Sequence, residues 1–140
     1  MILSGINPEA VALLFARVIL GILFFMQGYD KIFNISLREV IETTRQGLSR
    51  FKLPGYVFTW SVYFTSYAQW MGGILLILGI FKLATLCVLC VSMVVAVAGM
   101  SLAQPLVDLK HVFPRIVLIL FLLLYPFSAD VYSLDQLFGF

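Results

Sequence analysis

The chain has 140 residues, 62% of them hydrophobic and only 11% charged, with a formal net charge of +2 and a mean hydropathy of +1.06. A soluble domain of this size needs a polar exterior, so the apolar excess makes lipid the expected solvent for most side chains. The charge is too small and too scattered for a nucleic-acid partner, and no basic tract is interleaved with aromatics.

The N-terminal stretch MILSGINPEA has neither a basic start nor an A-x-A-like site after the first apolar run, so that run is expected to be retained. Pro8 fits the first turn of a helix, with Asn7 as its cap. From Ala10 to Tyr29 the only charge is Arg17, near the middle of a stretch long enough to cross a bilayer. An arginine there costs about 2.5 to 3.5 kcal/mol on insertion scales, so it should face protein, water or ligand.

Residues 37–52 differ in character. Ser36 and Glu39 have capping-box spacing, Leu37, Val40, Ile41, Leu48 and Phe51 share a face, and Arg38, Arg45 and Lys52 recur beside it. That pattern fits an amphipathic helix, lying in the membrane interface or covering the end of the bundle; a chain with so little soluble mass favours the interface.

Charge-free windows then predict three more spans, over about 57–81, 83–104 and 112–129, with the first over about 10–29. The second window begins with aromatics, Trp60 among them, as expected near headgroups, where Lys31 and Lys82 would also anchor span ends. Pro126 should kink or end the fourth span. The expected fold is an all-α membrane protein: four transmembrane helices in one domain over 1–140, with an interfacial helix between spans one and two. Lys31, Arg38, Arg45, Arg50, Lys52, Lys110 and Arg115 fall on one side, against Lys82, Glu9, Asp130 and Asp135 on the other. By the positive-inside rule both termini are non-cytoplasmic.

Centring each helix on its window puts Arg17 and Gln69 at similar depth, where the amide oxygen of Gln69 would accept from the guanidinium. Gly21 and Gly28 follow Arg17 on one face, and Gly73 follows Gln69, so close helix approach is expected there. The pair either lines a functional site or fixes helix register. Cys87 and Cys90 form a C-V-L-C motif in the third span, with Cys90 level with Arg17 by the same argument. A redox pair is one reading, but thiols three residues apart on a regular helix are poorly placed for a disulfide, which favours packing. His111 is the only histidine and lies in another loop, so no metal site is expected. The carboxylates Glu9, Asp30, Asp108, Asp130 and Asp135 lie at span ends, which disfavours a proton-coupled small-solute or lipid transporter.

The segment ARVILGILFFMQGYDKIF resembles the first helix of DoxX-like membrane proteins, and AQWMGGILLILGIFKLATL resembles their second. The resemblance maps the family pattern onto Arg17, Gly21, Gly28 and Lys31, then onto Gly72, Gly73, Gly79 and Lys82. It departs at Gln69, where the family carries glutamate, so the implied arginine–carboxylate pair becomes a charge-to-amide hydrogen bond. The resemblance implies a bacterial-type cytoplasmic membrane location and a redox-associated accessory subunit, quinone- or thiol-linked, with lipids and other membrane or redox subunits as partners and a bound quinone as candidate cofactor. The alternative is a non-catalytic structural or assembly subunit of a membrane complex.

Overall fold

The computed structural model describes residues 7–103, 112–126 and 129–139. Its elements are α1 (Pro8–Tyr29), continued by a π-helical turn (Asp30–Asn34), then α2 (Leu37–Gly47), α3 (Gly55–Leu78), α4 (Lys82–Ala103), α5 (Phe113–Leu124) and a short α6 (Leu134–Phe138). All are helical, with no strand among the described residues. Two of them, Pro8–Asn34 and Lys82–Leu102, are long and apolar enough to cross a membrane.

Local chemistry sets the boundaries. Asn7 accepts the amide N–H of Glu9 at 3.1 Å and Pro8 occupies the first turn, so α1 starts where its orphan donors have a cap. The helix α2 ends at Gly47, short of the expected residue 52. Leu48 leaves helical geometry as the C-cap and is buried, while Arg50 and Lys52 stay exposed. Gly79, in the left-handed region at φ +72°, caps the end of α3. Pro126 ends α5 early, since the residue before a proline is pushed out of helical geometry. At 12 residues α5 is about 18 Å long, less than a hydrocarbon core, where a span to residue 129 was expected.

Glycines fix how α1 and α3 pack. A Cβ on Gly28 would lie 2.5 Å from the backbone nitrogen of Trp70, one on Gly73 2.5 Å from that of Phe25, and one on Gly21 2.6 Å from the Ile77 side chain. These three positions let two backbones touch, which is how membrane helices associate without a hydrophobic driving force. Gly72 faces the other way, toward Leu89 of α4. The core is apolar, built on Leu13, Leu20 and Phe24 of α1, Leu76 of α3, Leu86 and Leu89 of α4, and Ile119 and Leu122 of α5.

The contacts also set the register. Position 28 of α1 meets 70 of α3, and 21 meets 77, so the helices are antiparallel and strongly staggered. Arg17 is level with the α3–α4 turn, not with Gln69, which lies about 18 Å farther along the axis, level with Tyr29. The same stagger, with Gly72 against Leu89, separates Cys90 from the Arg17 level by about 15 Å. The equal-depth expectations for Arg17, Gln69 and Cys90 are therefore corrected. Centring on charge-free windows failed because the aromatic first half of α3 overhangs the end of α1 and packs beside α2.

Candidate functional site

The register creates two polar poles about 21 Å apart along α1, one around Arg17 and one around Lys31.

At the first pole Arg17 is 2% exposed, yet its partner is not Gln69. Nη1 lies 3.3 Å from Oδ2 of Asp130, and Nη2 donates to the backbone oxygen of Tyr132 at 2.9 Å. Lys82 contributes its ammonium to the same Asp130 oxygen at 3.4 Å. Lys82 is only 6% exposed, so this lysine is an internal ion-pair partner and not the exposed interface anchor expected from the sequence. Asp135 completes the cluster. Its two carboxylate oxygens accept the backbone N–H groups of Phe81 at 2.8 Å and Lys82 at 2.9 Å. Asp135 thus caps α4 from the far end of the chain, with an anion at a helix N-terminus. The Asp135 amide returns a bond to the Gly79 oxygen at 3.0 Å. Gly79 is required here twice, for its positive φ and because a Cβ would collide with Nη1 of Arg17.

Two cations and two carboxylates therefore neutralise each other where residues 129–139 close over the α3–α4 turn. The space left among Arg17, Lys82 and Asp130 is about 10 Å³, no more than a single water needs. A substrate does not fit. Asp130, beyond the end of α5 and level with the α3–α4 turn, is only 4% exposed.

At the second pole Lys31 donates to Oε1 of Gln69 at 3.0 Å. Gln69 is fully buried and Lys31 half-buried, so this lysine too is engaged by the bundle. The position at which the resemblance places a glutamate faces Lys31, not Arg17. Several buried polar atoms here have no hydrogen-bond partner among the described residues: Nε2 of Gln69, Oγ of Ser66, Nε1 of Trp70 and Oε1 of Gln27. Ser66 and Gln69 share a face of α3, and Gln27 lies one turn before Lys31. α5 starts at this pole, and Arg115 in its first turn is within electrostatic range of Lys31.

Between α3 and α4 an outward-facing groove of about 990 Å³ is walled by Trp60, Tyr63, Phe64, Tyr67 and Met71 of α3 and by Ala84 and Val88 of α4. Trp60 is 72% exposed at its rim. Tyr63 and Tyr67 stack with ring centroids 6.3 Å apart and planes 9° from parallel. The groove's threonines return their hydroxyls to their own helix, Thr59 to the Gly55 oxygen at 3.2 Å and Thr85 to the Ile80 oxygen at 3.3 Å, leaving apolar walls.

Cys87 and Cys90 are free thiols on α4, Cys87 exposed and Cys90 packed partly against the core. They lie on a regular helix and point to different surroundings. Among the described residues no group of three or more metal-ligating side chains assembles. His111, Asp108 and Lys110 lie outside the described residues.

Among curated proteins and solved structures nothing matches the chain. The DoxX family, in contrast, matches residues 12–102, which include α1 from its second turn, α2, α3 and nearly all of α4, with both halves of the glycine contact, Arg17, Lys31, Gln69 and Lys82. The chain belongs to the DoxX family, and with its long apolar helices this indicates a membrane protein.

Proposed function

We propose that this chain is a multi-pass subunit of a bacterial-type cytoplasmic membrane, redox-associated and accessory to a partner oxidoreductase, with a quinone as its ligand. In support, α1, α3 and α4 are 22, 24 and 22 residues long, a length that suffices to cross, and α5 is a further apolar helix for the fourth passage. The exposed Arg38, Arg45, Arg50 and Lys52 on and after α2 fit a cytoplasmic Lys31 pole and non-cytoplasmic termini, with α2 in the interface.

The observation that carries the quinone reading is the groove between α3 and α4. Its walls are apolar over a length from Thr59 to Leu75 of about 24 Å, suited to an isoprenoid tail, and its stacked tyrosines offer a flat surface to a planar ring. A quinone-linked role is favoured over a thiol-linked one, because Cys87 and Cys90 are neither bonded nor mutually oriented. The test is the quinone content of the chain purified in mild detergent. Wild type should retain a quinone, and Ala84→Phe, which fills the groove from its exposed wall, should lose it while folding normally. Equal retention in both would remove the quinone from the groove.

A second reading, a structural or assembly subunit, is favoured by the internally neutralised Arg17 pole. It predicts a stoichiometric partner without quinone.

A further inference from the structure

The two poles hold their cations differently. Arg17 and Lys82 share Asp130, and Asp135 caps the helix beside them. Lys31 has an uncharged partner, Gln69, and lies within electrostatic range of another cation, Arg115. Around that single hydrogen bond, donors have been buried without acceptors. Gln69 is fully enclosed, yet its Nε2 group bonds nothing among the described residues, and the indole N–H of Trp70 is likewise unused. The Ser66 hydroxyl, on a fully buried residue one turn from Gln69, also lacks a partner. Burying such groups unsatisfied is costly, more so around a charge.

We infer that the Lys31–Gln69 pole is a binding site for a phosphate oxyanion, with the headgroup phosphate of an anionic phospholipid as its source in the membrane. Lys31 is half-buried, so its ammonium is reachable from the side, while Gln69 closes the inner end. An oxyanion beside Lys31 would supply the missing charge and accept from Gln69 Nε2, Trp70 Nε1 and the Ser66 hydroxyl in charge-assisted bonds. The unpaired Oε1 of Gln27 would accept from a headgroup hydroxyl. Lys31 lies in the last turns of the Pro8–Asn34 helix and Arg115 in the first turn of α5, so the pole sits where these two helices end. The site is independent of the quinone reading, since the groove uses Tyr63, Tyr67 and Met71 on a different face of α3.

Trp70 provides the readout. In a Trp60→Phe background it is the only tryptophan. The chain is reconstituted into phosphatidylcholine vesicles with or without phosphatidylglycerol, and Trp70 emission and protein-retained lipid by native mass spectrometry are compared. Inorganic phosphate is titrated in detergent as a separate arm. Phosphatidylglycerol should be retained over phosphatidylcholine by about tenfold, because both bring the phosphate but choline sets a cation beside Lys31 and offers no hydroxyl to Gln27, with a shift in Trp70 emission. Lys31→Gln should remove the preference. Gln69→Glu should also remove it, by supplying the counter-charge from within, while leaving the fold at least as stable. A response to inorganic phosphate equal to that to phosphatidylglycerol would make the free ion the ligand; a response only to the lipid supports the headgroup source. No preference in wild type, or one that survives both substitutions, overturns the inference.

Discussion

Replacing Asp130 by asparagine keeps the side chain's shape and removes the one charge that Arg17 and Lys82 share. Arg17 is 2% exposed and Lys82 6%, so neither cation can recover the loss by turning to solvent. Breaking a buried ion pair from one side costs about 3–5 kcal/mol, because the surviving charge stays desolvated. Both cations lie against the same oxygen, at 3.3 and 3.4 Å, so Asp130→Asn is expected within that range. Removing the arginine as well should restore part of the loss: Arg17→Met with Asp130→Leu should be more stable than the sum of the single effects by about 1–3 kcal/mol. The assay is reversible unfolding in mixed micelles with increasing denaturing detergent, followed by far-ultraviolet circular dichroism. A loss below about 1 kcal/mol for Asp130→Asn, with additive single effects, would refute the claim that this cluster holds residues 129–139 to the bundle.

Asp135→Ala should cost about 1–3 kcal/mol in the same assay, because the N–H groups of Phe81 and Lys82 lose a charged acceptor, and amide exchange at those two positions should accelerate. Gly28→Ala should destabilise by about 1–3 kcal/mol, since its methyl would meet the backbone of Trp70, whereas Gly99→Ala, with nothing within 4 Å, should be neutral or slightly stabilising. Cys87→Ser with Cys90→Ser should leave quinone retention unchanged within error; loss on this double substitution would revive a thiol-linked role.

The long helices were legible because each needs a long run with little or no charge, and Lys52, Lys82 and Asp108 punctuate those runs plainly. Gly21, Gly28 and Gly73 were legible as a contact, because close approach in lipid has few other solutions. Axial stagger was not: it depends on which glycine meets which backbone, and a window's midpoint carries no such information. That one missing quantity paired Arg17 with Gln69, whereas the chain pairs Arg17 with Asp130 and Gln69 with Lys31. A usable signal for the first pair did exist. The charge distribution already put Lys82, Asp130 and Asp135 on one side, and Pro126 marked where the chain could turn back over them. For Asp135 as the cap of α4 no local pattern exists, because the cap is 53 residues from the amide that it serves.

The central claim is that the ligand lies in the groove between α3 and α4 and that Arg17 acts only in holding the fold. The most direct measurement is the quinone-to-protein ratio of Arg17→Met with Asp130→Leu, purified in mild detergent beside wild type and Ala84→Phe. The account predicts wild-type quinone in the doubly substituted chain and almost none in Ala84→Phe. Quinone lost with Arg17 and kept in Ala84→Phe would contradict it.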